Sequence, residues 1–119
     1  MSTPTIESLH QKWIAVFNSH DLDSHAALYT EDAMLFGSIP DLVVGRAAIR
    51  GYFGNRGPNV HVAHYPFPRV TMIRDDVAST AAHVDFADGD APMPYRVTWL
   101  LVKQNGDWKI AQHHGSPRG

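Results

Sequence analysis

The chain has 119 residues, a net charge of −2 and no cysteine. This length predicts one domain, residues 1–119, with a core large enough to surround a small cavity. The lack of cysteine excludes disulfides, thiol nucleophiles and thiolate metal sites, and the weak negative charge without a basic run argues against nucleic acid as a partner. No apolar run approaches the roughly 20 residues of a membrane span, and no export signal is visible, so a cytoplasmic protein without a membrane partner is expected.

The first predicted element is an amphipathic helix. Thr3 is a suitable N-cap with Pro4 at the first helical position, where its missing N–H has no cost. Apolar residues then recur at helical spacing until about Ser19. The predicted buried stripe consists of Ile6, Leu9, Trp13, Val16 and Phe17.

Two further helices and a strand are predicted before residue 60. Asp21 is a suitable N-cap for a second helix, which carries Tyr29 on its inner face and ends at residues 30–32. A short apolar strand at residues 33–36 follows. Gly45 opens a third, short helix, which ends at the breaker 54–59. The apolar positions predicted for this helix are Ala48, Ile49, Tyr52 and Phe53.

From Val60 onward the pattern is typical of antiparallel strands. Runs rich in β-branched and aromatic residues cover 60–67, 69–74 and 77–86, and a hairpin over 95–116 follows. Helices first and strands afterwards predict an α+β fold, with about three N-terminal helices in the concavity of a strongly bent, mixed and mainly antiparallel sheet.

The hairpin turns at Asn105-Gly106, and its register decides which side chains share a face. A two-residue turn would put Val97 opposite His114 and scatter the polar side chains over both faces. A three-residue loop with Gly106 left-handed and a bulge would put Arg96 opposite His114. We favour the bulged register because it gathers four polar side chains on the concave face: Arg96, Thr98, Gln112 and His114.

Three motifs, HDLDSHAALYTEDA, VGRAAIRGYF and YRVTWLLVKQNGDWKIAQHHGS, lie in this order along the chain. With them the whole chain resembles the nuclear transport factor 2-like superfamily, and more closely its SnoaL-like and SgcJ/EcaC-type members. The last motif is also similar to the calcium/calmodulin-dependent kinase association domain. The resemblance implies a conical, cystatin-like α+β fold, a pocket between the sheet and the helices, and a dimer through the convex sheet face. It does not imply one activity.

The ketosteroid isomerases of this superfamily need a carboxylate base and a tyrosine in their oxyanion hole. The resemblance places the base within residues 35–38, which contain no acid, and places the tyrosine at Trp13. An indole donates one hydrogen bond but is no acid near neutral pH. This chemistry is therefore not expected here.

Arg96 and His114 are the candidate catalytic residues. A guanidinium can hold a carboxylate or enolate oxygen, and an imidazole can move a proton near neutral pH. The alternative is structural, with His114 hydrogen-bonded at the pocket mouth and Arg96 balancing Asp85 or the C-terminus. Asp85 also shares a strand face with His83, which we interpret as a solvated face.

The predicted substrate-binding residues combine aromatic walls with polar groups of the hairpin. They are Trp13, Tyr29, Phe53, Thr98 and Gln112. No metal site is expected, because neighbouring histidines such as His113 and His114 alternate between the faces of a strand. No cofactor is implied.

Two hypotheses for function follow from these patterns. The first is a protein that binds a small apolar molecule bearing a carbonyl or carboxylate, with possible proton transfer of isomerase, cyclase or dehydratase type. The second is a non-catalytic dimerisation or association domain. Val97, Trp99 and Leu101 point outward in the bulged register and are too apolar for solvent, so we expect them to form a homodimer interface.

Overall fold

The computed structural model describes residues 5–118, and the fold is α+β as predicted. Three helices pack against one face of a curved, mixed and mainly antiparallel sheet. The helices are α1 (Ile6–Asn18), α2 (Leu22–Ala26) and α3 (Arg46–Gly54). The strands are β1 (Tyr29–Phe36), β2 (Val43–Val44), β3 (Val60–His64), β4 (Arg69–Arg74), β5 (Val77–Asp88), β6 (Ala91–Gln104) and β7 (Asp107–Pro117).

The sheet has the strand order β2-β1-β7-β6-β5-β3, and β4 also pairs with β5. The long strand β5 pairs with β4 over residues 77–81 and with β3 over residues 85–88. The pairing of β1 with β7 is parallel, whereas the other pairs are antiparallel. The helices cover the concave face, which therefore carries the core.

The helix starts agree with the sequence in part. Helix α1 begins at Ile6, where Thr5 and Ser8 form a capping box; the predicted cap residues Thr3 and Pro4 lie outside the described residues. Asp21 caps α2 as predicted, accepting from the Ser24 N–H. This helix ends at Ala26, and Tyr29 opens β1 instead of lying on the helix.

The predicted hairpin register is wrong. Asn105 and Gly106 both have positive φ, 53° and 84°, and form a two-residue turn, so only the left-handed Gly106 is confirmed. A bulge lies within β7 at Ala111, because Leu101 pairs with Ile110 while Leu100 pairs with Gln112. His114 consequently lies opposite Thr98 rather than Arg96.

The two-residue turn reverses the expected faces of β6, and the bulge reverses those of β7 beyond Ala111. Val97, Trp99 and Leu101 are buried on the concave face, so their predicted role as an outward-facing dimer interface is wrong. His113 is buried beside them, whereas its neighbour His114 is exposed. The four side chains that were expected to share the concave face are exposed: Arg96, Thr98, Gln112 and His114.

Candidate functional site

A cavity of about 360 Å³ lies between α1, α3 and the concave face of the sheet. Its walls are mainly apolar and aromatic, and include Trp13, Phe17, Phe53, Val84, Phe86 and Val97. Its polar side chains are Ser38, Tyr52, Asn55, Arg56, Tyr65, Tyr95 and His113. A cavity of this size and lining can surround a compact apolar molecule and orient it through a few hydrogen bonds.

The floor of the cavity holds a hydrogen-bonded group of four buried side chains. The indole N–H of Trp13 donates to the Tyr29 hydroxyl at 3.0 Å, and this hydroxyl lies 2.9 Å from His113 Nδ1. The indole N–H of Trp99 donates to the same Nδ1 at 3.1 Å. Helix α1 and strands β1, β6 and β7 each contribute one member, so the group depends on the whole fold.

These contacts fix the protonation of His113. An indole N–H can only donate, so Nδ1 is an acceptor and the neutral ring carries its proton on Nε2. Burial, together with smaller charge repulsion from His25 and His114, lowers the pKa of His113 to about 3, which keeps the ring neutral. A Cβ atom at Gly115, which also lines the cavity, would lie 3.4 Å from Nε2. The Nε2–H therefore faces the cavity beside a residue without a side chain.

Trp13 is the central wall of the site. Its ring stacks on Phe17 with the ring centres 5.0 Å apart and packs edge-on against Phe53 at 6.2 Å. Its only N–H is already bonded to Tyr29. Trp13 therefore contributes a rigid apolar surface to the cavity and no free hydrogen-bond donor.

One side of the mouth is formed where the loop after β1 meets α3. The Tyr52 hydroxyl accepts from the Ser38 N–H at 2.8 Å and lies 3.1 Å from Ser38 Oγ. A Cβ atom at Gly37 would lie only 2.1 Å from this hydroxyl oxygen. The hydrogen bonds between Ser38 and Tyr52 therefore require a residue without a side chain at position 37, because a Cβ atom there would overlap the Tyr52 hydroxyl.

The opposite side of the mouth is formed by Arg56. Its guanidinium lies over the Phe17 ring, with the central carbon 3.8 Å from the ring centre. It donates to the carbonyl of Phe53 at 3.3 Å and to the carbonyl of Phe17. These carbonyls belong to the C-terminal ends of α3 and α1, so Arg56 joins the two helices at the cavity.

A second buried histidine lies behind the cavity wall. His25 packs between Phe53, at a ring-centre distance of 4.3 Å, and Trp13, at 5.0 Å. Neither ring nitrogen has a hydrogen-bond partner among residues 5–118. Burial, assisted by the positive charge of Arg56, lowers the pKa of His25 to about 3. His25 is therefore neutral in the folded protein at physiological pH.

The structure separates the predicted site residues into three groups. Trp13 and Phe53 line the cavity as expected. Tyr29 is fully buried behind the cavity and contacts the lining residues Trp13, Phe53 and His113. The other four lie on the convex face and do not line the cavity: Arg96, Thr98, Gln112 and His114.

The predicted pair of Arg96 and His114 is not formed. Arg96 lies opposite Ser116 on one side and His83 on the other. His83 is exposed, in agreement with its interpretation as part of a solvated face. Asp85 accepts from Arg118 at 2.7 Å instead of balancing Arg96. The physical reason is a register shift of two residues, one from the two-residue turn and one from the Ala111 bulge, which leaves Arg96 and His114 on the same convex face but not opposite each other.

No Asp or Glu is found among the described residues that line the cavity. The ionisable groups there are Arg56, His113 and the three tyrosines Tyr52, Tyr65 and Tyr95. Burial raises the pKa of the Tyr65 hydroxyl, which stays protonated. The cavity thus offers hydrogen-bond donors but no carboxylate base.

Two residues of the site were not found from the sequence. From the sequence, His113 was rejected as a site residue because adjacent histidines on a strand point to opposite faces. The two side chains do point to opposite faces, but His113 is the buried one and His114, which was expected on the concave face, is exposed. Arg56 lies in the stretch 54–59, which reads only as a breaker. Its position beside the apolar end of α3 is the one local signal for a role in the core.

Two further geometric tests concern metals and membranes. Within residues 5–118, no three His, Cys, Asp or Glu side chains gather closely enough to hold a metal ion. None of the helices in this part of the chain is long and apolar enough to cross a membrane.

The fold defines a small α+β protein with a cavity between the helices and a curved sheet. The model of the SnoaL-like domain family matches residues 6–118, so the chain belongs to this family. No curated protein sequence matches the chain significantly.

Solved structures with the same fold share little sequence with the chain. A ketosteroid isomerase-like protein from Erwinia carotovora atroseptica SCRI1043 is 22% identical, with a TM-score of 0.82 over 96% of this chain and 94% of that one. A scytalone dehydratase-like protein from Novosphingobium aromaticivorans DSM 12444 is 15% identical, with a TM-score of 0.84 over 96% and 82%. A protein similar to the calcium/calmodulin-dependent protein kinase type II association domain, from Thiobacillus denitrificans ATCC 25259, is 22% identical, with a TM-score of 0.75 over 100% and 99%. At these identities the similarity shows the fold alone.

Proposed function

We propose that the protein binds a compact, largely apolar molecule bearing a carbonyl or carboxylate oxygen, with the His113 Nε2–H donating to that oxygen. The observation that carries this proposal is the neutral, fixed donor of His113 at the floor of an aromatic cavity. In such surroundings an oxygen acceptor gains a hydrogen bond that a hydrocarbon does not. The aromatic walls stabilise the rest of the molecule through apolar burial.

Binding is favoured over proton transfer by the chemistry of the same residues. A general base needs a free lone pair near the ligand. The Nδ1 lone pair of His113 is shared by Trp99 and Tyr29, and Nε2 carries a proton. The described residues lining the cavity include no carboxylate that could replace it. The site can polarise a carbonyl, but it has no evident group to remove a proton.

A matched pair of ligands tests this function. Acetophenone and ethylbenzene have nearly the same shape and differ in the carbonyl oxygen, and binding can be followed through the indole N–H signals in NMR titrations. One net hydrogen bond of about 1 kcal/mol predicts a roughly five-fold preference for acetophenone. His113→Phe should abolish the preference, and His114→Gln, on the convex face, should preserve it. Equal binding of both ligands by the unaltered protein would contradict the proposed role of His113, and no binding of either would contradict the pocket.

Association through the convex sheet face is the second candidate function. Met34, Phe36 and Val44 are exposed by 40%, 42% and 55%, and Met34 pairs directly with Val44 on β1 and β2. Large apolar side chains grouped on one surface often mark an interface. We propose that a second copy of the chain covers this group, which replaces the set predicted from the sequence. Sedimentation should show a dimer that Phe36→Asp dissociates; a monomer at micromolar concentration of the unaltered protein would disprove it.

A further inference from the structure

Of the described residues along the cavity wall, Arg56 alone carries a permanent charge. His113 is neutral, and the remaining polar groups are hydroxyls and the amide of Asn55. The electrostatics of the cavity mouth are therefore set by one guanidinium.

The guanidinium is held in a fixed position. Nη1 donates to the Phe53 carbonyl, and Nη2 donates to the Phe17 carbonyl and to His20 Nδ1, the latter at 3.1 Å. The Phe17 ring supports its flat face. A ligand would therefore meet a cation whose orientation is already set, which lowers the entropic cost of binding.

The charge of Arg56 has no carboxylate partner in the part of the chain that the structure describes. Three other arginines do have acidic partners within 4.0 Å. These pairs are Arg46–Glu31, Arg50–Asp23 and Arg118–Asp85. Arg56 instead contacts the C-terminal ends of two helices, whose partial charge of about half a unit each reduces the cost of holding the cation there. Its Nε–H is buried without a partner within residues 5–118.

We infer that the ligand of this cavity carries a carboxylate that lies against Arg56, while a second oxygen at its other end reaches His113. This inference rests on the proposed binding function and specifies the ligand class. Phe17 and Trp13 lie along the wall between the two polar groups, because Arg56 covers Phe17, Phe17 stacks on Trp13, and the Trp13 ring centre is 6.2 Å from that of His113. The middle of the ligand is therefore apolar, and an aromatic ring suits this wall.

A carboxylate suits this position better than a neutral amide for a simple electrostatic reason. The full negative charge of a carboxylate attracts the guanidinium more strongly than the partial charge of an amide oxygen does, and one of the two Nη1 protons of Arg56 is not used by the hydrogen bonds described above. The cavity is mainly apolar and Arg56 is partly buried, so the attraction is screened less than at an open surface. The negative charge of the carboxylate also compensates the positive charge of Arg56, which has no acidic partner in the described part of the chain.

The probes are 3-(4-acetylphenyl)propanoate and its primary amide, which share the acetyl group, the ring and the shape. Isothermal titration calorimetry of the full chain should show at least ten-fold tighter binding of the acid. Arg56→Gln should reduce this preference to about two-fold or less and change the affinity for the amide little. Arg56→Lys keeps the positive charge and should retain a clear preference for the acid. If Arg56→Gln folds poorly, this variant distinguishes the role of the charge in binding from the role of Arg56 in joining the two helices.

Arg50→Gln is the matched control, because Arg50 lies on α3, just before the segment that carries Arg56, but is exposed and paired with Asp23. It should leave the preference for the acid unchanged. Equal affinities for acid and amide in the unaltered protein would overturn this inference while leaving the proposed binding function intact. If neither probe binds, the binding function itself fails. A preference for the acid that persists in Arg56→Gln would assign the anion site to another residue.

Discussion

The buried histidines predict that mild acid unfolds this protein. His25 and His113 are 1% and 7% exposed, and both have their pKa lowered from 6.5 to about 3. In the unfolded chain they titrate near 6.5. Between pH 6.5 and pH 3 the unfolded state therefore binds more protons than the folded state, so stability falls as the pH falls.

The magnitude follows from the pKa difference. Each histidine contributes about 1.4 kcal/mol per pH unit within that window, so lowering the pH from 7.5 to 5 should cost about 2 kcal/mol for each. The two together remove about 4 kcal/mol, which is a large part of the 5–15 kcal/mol stability of a typical domain. Burial also lowers the pKa of His10, which adds a loss in the same direction.

The assay is urea unfolding at several pH values from 7.5 to 5, with the free energy of unfolding as the readout. His25→Phe keeps a ring in the aromatic surroundings and removes the titrating imidazole with its two unpartnered nitrogens. The loss of unfolding free energy between pH 7.5 and pH 5 should therefore shrink by about 2 kcal/mol. Any packing cost of the larger ring is the same at each pH and does not affect this difference. His114→Gln removes an exposed ring and serves as the control. An unchanged pH dependence in His25→Phe would refute the reasoning.

Three other substitutions test separate parts of the structure. Gly106→Ala should cost about 1–2 kcal/mol in chemical unfolding because φ is 84° there, and Gly106→Asn should cost less; equal costs would argue against a left-handed backbone at Gly106. Gly115→Val should remove the preference for acetophenone over ethylbenzene in NMR titrations, because its side chain would cover His113 Nε2, and an unchanged preference would place the donor elsewhere. Trp13→Phe should lower stability by about 1–3 kcal/mol, since it shrinks the core and removes the hydrogen bond to Tyr29; a neutral result would show that the wall repacks.

Local patterns were sufficient for the three helices and the order of the longer strands, but not for the two-residue strand β2. The apolar stripe of α1, the Asp21 cap and the Gly45 start of α3 were all predicted from short-range signals, and the structure confirms them. These features depend on hydrogen bonds and spacings within one helical turn or so, which the sequence displays directly. The fold class followed from their order along the chain.

The sequence also determined that aromatic residues of the first and third helices would meet the sheet. Trp13 and Phe53 were expected at the pocket and do line the cavity. Each lies on the apolar face of an amphipathic helix, and such a face has to pack on the concave side of a sheet.

The tertiary structure alone decided which histidine and which arginine belong to the cavity. A bulge at Ala111 changes the phase of β7, and β1 breaks its own register against β7 nearby, between Tyr29 and Met34. Period-two alternation is a local rule, whereas the bulge is set by strands far apart in sequence that must fit on both sides of β7. A shift of one residue placed His113 rather than His114 in the core. Arg56 reaches the cavity only because α1 and α3 end side by side, and no local pattern encodes that contact between distant helices.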